Sequence, residues 1–321
     1  MKTKIMGVEK MKLHKILGIE YPLIQGGMAN IATGEFAAAV SNAGALGVVG
    51  SGGMTAETLR DHIRLCKSKT DKPFGVNLML MNPETEEMAK IVIEEKVPVV
   101  TTGAGNPGKY VKEWKENGIK VFPVVASVAL AKRMERLGVD GVIAEGTESG
   151  GHVGETTTLV LLPQIVDAVN IPVISAGGVA DGRQLLAVGV LGASGVQVGT
   201  CLLTTEECPI HPNYKQAVIQ AKDTHITVMG RIGGTPVRVL KNEMVKAYIS
   251  LEKQGADLME LEKYTLGSLR KAVFHGDTEN GSLMAGQTAA MVKGEYTVRE
   301  LLEKLFSDYR KARKGLCDET I

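Results

Sequence analysis

The sequence predicts an α/β fold, a (β/α)8 TIM barrel with a smaller, mainly helical cap domain inserted near the C-terminus. Three observations carry that expectation. Eight short apolar runs bounded by glycine recur roughly 20–30 residues apart. Stretches of helical periodicity separate them. The runs are continuously apolar rather than alternating, as strands are when helices cover both faces of a parallel sheet.

In order, the runs are YPLIQGG from Tyr21, ALGVVGS from Ala45, FGVNLML from Phe74 and PVVTTGAG from Pro98, then VFPVVAS from Val121, GVIAEG from Gly141, PVISAGG from Pro172 and GVQVGT from Gly195. No further run follows. Between them, TAETLRDHIRLC sets Leu59, Ile63 and Cys66 on one helical face. NPETEEMAKIVIEE offers Asn82 as an N-cap with Pro83 at the first helical position. SVALAKRMERLG ends in a glycine stop at Gly138. These units assign residues 1–205 to the barrel. Residues 206–296 break the rhythm and read as the cap. Residues 297–321 read as a helix returning to the barrel, with Thr297 and Glu300 as a capping box and Val298, Leu301, Leu302, Leu305 and Tyr309 as its apolar stripe.

Composition narrows the function. The chain has 321 residues, 44% of them hydrophobic, so a large core can be buried. A net charge of +1 argues against bulk nucleic-acid binding. Cys66, Cys201, Cys208 and Cys317 form no C-x-x-C pair and no metal-ligand spacing. The charged N-terminus MKTKIMGVEKMKLHK has no apolar core of a signal peptide, and no stretch is long enough to span a membrane. A soluble, cytoplasmic protein is expected.

In a barrel of this kind the chemistry sits at the C-terminal ends of the strands. Those ends carry Gly26-Gly27-Met28, Gly50 to Gly53, Asn77, Gly103, Ser127, Glu145, Ala176-Gly177-Gly178, and Gln197 with Gly199-Thr200. The two glycine turns after the last strands, with Asp181 opening a helix, favour phosphate binding over plain tight turns. GAGNPG at 103–108 matches a dinucleotide fingerprint, but Ala126 and Ser127 stand where its ribose-binding acid is needed. Asn77 and Gln197 each read either as structural amides or as contacts to a polar ring edge. His152 lies in EGTESGGHVG, the longest strand-to-helix loop, and reads as a general acid or base in preference to a surface histidine. His275 is the second candidate. Cys201 follows the last strand but has apolar neighbours that disfavour a thiolate.

Taken together, QGGMA (Gln25–Ala29), FGVN (Phe74–Asn77), TTGAGNP (Thr101–Pro107), AEGTESGGHVG, ISAGGVADG, VQVGT and HGDTENGSLMAGQ resemble one family over nearly the whole chain. It is the flavin-dependent barrel group of nitronate monooxygenases and FMN-dependent enoyl-ACP reductases. TTGAGNP and the cap segment are similar to the reductase branch. The resemblance implies FMN lined by Gly26, Gly27 and Met28, with Asn77 at the isoalloxazine edge. It implies Glu145, Gly150 and Gly151 beside the ring and His152 over its reacting face. Ala176, Gly177, Gly178, Gly199 and Thr200 would hold the phosphate, with Gln197 nearby. Met284, Gly286 and Gln287 would close the site from the cap. Glu145 stands where nitronate monooxygenases tend to carry glutamine, which favours the reductase.

The implied reaction reduces trans-2-enoyl-ACP with NADH or NADPH through FMN, with acyl carrier protein as partner and a homodimer as the assembly. Charge on the thioester oxygen calls for a donor, and His152 is the candidate. Arg231, Arg238 and Lys241 are candidates for a basic rim facing the acidic carrier. Two alternatives remain: nitronate oxidation with FMN and oxygen, and an FMN-binding barrel without catalysis.

Overall fold

The computed structural model describes residues 11–233 and 235–318. The N-terminal segment 1–10, read above as no signal peptide, lies outside them, as does the side chain of Cys317. Among the described residues no helix is long and apolar enough to cross a membrane.

All eight expected runs form strands. They are β1 (Leu23–Gln25), β2 (Gly47–Gly50), β3 (Phe74–Met79), β4 (Val99–Gly103), β5 (Lys120–Val125), β6 (Val142–Glu145), β8 (Val173–Ala176) and β9 (Gly195–Val198). They lie in the order β1-β9-β8-β6-β5-β4-β3-β2, and every neighbour is parallel. A bridge between Ile24 and Leu46 brings the two ends together. There the Val48 N–H donates to the Gln25 side-chain oxygen at 3.2 Å, which satisfies a backbone group left over by the short ladder. The result is a TIM barrel.

The apolar runs have two jobs. One set of side chains faces inward: Ile24, Val48, Val99, Phe122, Ile143 and Ile174 fill the barrel, and Leu13 and Leu17 of the short helix Leu13–Leu17 join them. The alternating set, among them Val76, Leu78, Val100, Val121 and Val142, packs outward against the helices. Each fully buried Val, Leu or Ile contributes about 1.5–3 kcal/mol. Both faces therefore need apolar residues, which erases the period-two signal.

The helices begin where short polar side chains cap them. Thr33, Thr55 and Ser127 each accept from a backbone N–H in the first turn. Asp181 forms a capping box with Gln184. Asn82 is not an N-cap: the helix runs Thr85–Glu94, and Asn82 instead turns the chain ahead of it, accepting from Glu84 N–H at 2.8 Å and donating to Met54 O at 3.0 Å. The rigid proline at 83 lies in that turn rather than in the helix. The C-terminal helix Val298–Asp318 starts with the expected Thr297–Glu300 box. It packs on the helix Gly182–Val190 so closely that a Cβ on Gly182 would lie 2.2 Å from Tyr309 N.

Strand structure does not end with the barrel, contrary to the eight-run count. β10 (Ile226–Met229) and β11 (Val237–Leu240) form an antiparallel hairpin, and β7 (Gly151–His152) pairs antiparallel with β11. Two or four residues are too few for a period to register in sequence. The helices Glu243–Lys253 and Leu258–Thr265 pack against this small sheet, whereas Pro212–Ile219 and Ser268–His275 join the main core. Met229, Val239, Met244, Val245, Tyr248 and Leu261 form a core of their own there.

Candidate active site

The inward alternation runs out of apolar residues at the C-terminal mouth. Two positions beyond Ile143 comes Glu145; beyond Gly75 and Gly195 come Asn77 and Gln197. Strand register sets Glu145, Ala176 and Gln197 side by side on one arc and Gly50, Asn77 and Thr101 on another. Asn77 Nδ2 donates to Thr101 Oγ1 at 2.9 Å. The Gln197 amide has no hydrogen-bond partner among the described residues. Burial pushes the Glu145 carboxyl up to about 7; nearby Ser149 opposes the shift but makes no well-formed hydrogen bond. Gly27 stacks directly on Asn77, where a Cβ would come within 2.3 Å of the asparagine Cβ. Gly26 N–H donates to Val198 O at 2.8 Å, and the Met28 sulfur lies over Gly199.

The loop after β6 is firmly held despite its glycines. Thr147 N–H closes its base on Thr156 O at 2.8 Å. The Glu148 carboxylate accepts from Thr158 N–H at 2.9 Å and from the Thr158 hydroxyl at 2.9 Å, capping the helix Thr158–Ala168. Gly151 and His152 become β7, and Val153 N–H donates to Pro236 O at 3.1 Å. The His152 imidazole is exposed and unbonded among the described residues. The cap segment closes on this loop. Gly150 lies against the Ala285–Gly286 backbone, Met284 against Gly151, and Gln287 N–H donates to Glu148 O at 2.9 Å. Gly286 N–H donates to Thr200 Oγ1 at 2.9 Å, and Tyr214 OH to Met284 O at 2.7 Å.

Beside them, β8 and β9 end in two bare backbone turns. Gly177 and Gly178 both take left-handed φ, +83° and +78°. The N–H groups of Gly178, Gly199 and Thr200 have no acceptor among the described residues. Unpartnered backbone donors at the ends of two adjacent strands suit an anion.

The structure thus brings the strand-end residues Asn77, Glu145, Gln197 and the paired glycines to one mouth, with the 284–287 segment against the loop after β6. His275 ends the helix Ser268–His275 and takes part in none of these contacts. Cys201 is buried, with its thiol pushed up to about 12, so no thiolate is available. Arg238 is not on a rim: it is buried, and its guanidinium donates twice to Thr147 O. Arg231 pairs with Glu155 at 3.0 Å, and Lys241 donates to Thr224 O at 2.7 Å. Sequence reasoning missed Glu148, whose partner is ten residues away with no pattern linking them, and Thr101, which reads as ordinary strand.

The family model for nitronate monooxygenase matches residues 10–308. The chain belongs to the nitronate monooxygenase family. It is 34% identical to a probable nitronate monooxygenase of Staphylococcus saprophyticus, covering 87% of this chain and 92% of the relative. FabK from Thermotoga maritima superposes with a TM-score of 0.92 at 46% identity, covering 95% of this chain and 97% of that one. A nitroalkane oxidase from Streptomyces ansochromogenes superposes with a TM-score of 0.84 at 26% identity, covering 95% and 99%. Membership of the nitronate monooxygenase family makes this chain a flavin-dependent oxidoreductase.

The mouth suits a flavin mononucleotide. The unpartnered N–H groups after β8 and β9 match a phosphate. The polar layer of Asn77, Glu145 and Gln197 offers both donors and acceptors, as a ring with alternating polar edges requires.

Proposed function

We propose that this chain reduces trans-2-enoyl thioesters carried on acyl carrier protein, with NADH or NADPH as reductant. The observation that carries the reading is Glu145, an enclosed carboxyl raised to about 7 at the barrel mouth; the family resemblance implies glutamine there for a nitronate monooxygenase. The greater likeness to FabK, 46% against 26% for the nitroalkane oxidase, supports it. When bound, FMN supplies the redox chemistry, carrying hydride from the nicotinamide to the β-carbon of the enoyl group.

The chain's own residues bind, orient and handle protons. Gly177, Gly178, Gly199 and Thr200 hold the phosphate, and Ala176 keeps the turn beneath it small. Gly26, Gly27 and Met28 would line the cofactor, with Asn77 and Gln197 offering hydrogen bonds to its polar edge and Glu145, Gly150 and Gly151 completing the site. Met284, Gly286 and Gln287 shut the site from the cap and exclude water. His152 donates to the thioester oxygen as charge builds there, or delivers the proton to the α-carbon. A donor aimed at the developing oxyanion contributes about 3–4 kcal/mol of barrier lowering.

A second reading, nitronate oxidation with oxygen, is favoured by the family match and by the staphylococcal relative. Anaerobic turnover of crotonyl thioester with NADH or NADPH separates the two. The reductase reading expects enoyl reduction far faster than oxidation of any nitronate; the opposite ranking overturns it. Absence of releasable FMN from the purified protein overturns both.

A further inference from the structure

Arg238 is 6% exposed, yet no carboxylate lies within ion-pair distance among the described residues. Its Nε and Nη2 both donate to one carbonyl, Thr147 O, at 3.1 and 2.9 Å. Its backbone pairs with Gly151, next to His152. One residue therefore grips the loop after β6 twice, through its side chain near the loop's start and through its main chain at β7. The Glu148 carboxylate favours its charge but lies beyond ion-pair reach, so burial is only partly offset, and a chain that needed only packing here would do better with methionine. The exposed Arg231–Glu155 pair joins the same two segments but is solvated and contributes little.

We propose that Arg238 is a positioning residue: by clamping Thr147 it fixes β7, and so holds His152 where it serves the thioester step. The inference rests on the role proposed above for His152. Arg238 itself touches neither substrate nor cofactor. A lysine would reach the same carbonyl as a single point donor without the planar fork, so it should restore the clamp only in part.

The test compares Arg238→Met, Arg238→Lys, His152→Ala and the double variant Arg238→Met/His152→Ala. Hydrogen exchange over residues 147–153 reads the clamp directly, with the Val153 N–H as reporter. It should quicken ~10–100-fold in Arg238→Met, the loss of one or two bonds from a charged donor, and by less in Arg238→Lys. Anaerobic stopped-flow reads the consequence. Flavin reduction by NADH should stay within about twofold, while reoxidation by crotonyl thioester slows ~10–100-fold. In the His152→Ala background, Arg238→Met should cost less than about a further twofold, because it acts through the histidine already removed. Unchanged exchange, or fully additive losses in the double variant, overturns the proposal. Should Arg238→Met fail to fold, Arg238→Lys carries both arms. Should the wild type ignore enoyl thioester, the proposed function falls; exchange still decides the clamp, and the same cycle is run with a nitronate.

Discussion

Replacing Glu145 by glutamine keeps the volume and the donor–acceptor character of the side chain but removes its ionisation. In the folded chain its carboxyl is raised from 4.5 to about 7 by burial. Between those values the folded state holds one proton more than the unfolded state, so this group lowers stability as pH rises from about 4.5 to about 7. Below that window it has no effect, and above it the cost is constant. At about 1.4 kcal/mol per pH unit, the full cost is at most about 3.5 kcal/mol, and partial exposure at the mouth reduces it. Urea denaturation of flavin-free wild type and Glu145→Gln at pH 5 and pH 8 measures it. The variant should gain about 2–3 kcal/mol on the wild type between the two pH values, since all other carboxyls cancel in the difference. A difference that is the same at both pH values refutes the argument, and with it the view that an enclosed acid raised to about 7 stands at the barrel mouth.

Three further outcomes follow from the same geometry. His152→Ala should retain flavin and accept hydride from NADH normally, while reoxidation by enoyl thioester slows ~10²–10⁴-fold in stopped-flow traces; reoxidation at the wild-type rate refutes the role given to His152. Gly178→Ala, at φ +78°, should cost about 1–2 kcal/mol in backbone strain and weaken FMN binding about tenfold by fluorescence titration; unaltered affinity refutes the phosphate site. Gly182→Ala places a methyl 2.2 Å from Tyr309 N, so the docking of the C-terminal helix should lose about 1–3 kcal/mol in a thermal melt with no change in FMN affinity.

The barrel was legible because its signals are local. Apolar runs between glycines, and capping residues such as Ser127 and Asp181, act within a few residues of themselves. The strand ends could be listed for the same reason, and a fold of this class puts them at one mouth. That mouth is where Asn77, Glu145, Gln197 and the paired glycines are found.

What only the tertiary structure decided are the pairings between distant segments. Gly151–His152 is a strand only because β11, more than eighty residues later, supplies the partner. EGTESGGHVG looked loose from its composition, and its fixed shape comes from Thr158, Pro236, Arg238 and the 284–287 backbone. Arg238 read as a candidate for a basic rim because a charged residue is usually solvated; the docking of the hairpin on the loop buries it. Asn82 shows the converse limit, since asparagine before proline serves a turn as readily as a helix start, and the carbonyl of Met54 selects the turn. The raised carboxyl of Glu145 likewise belongs to no motif: it arises from enclosure by strands and loops that meet only in the folded chain.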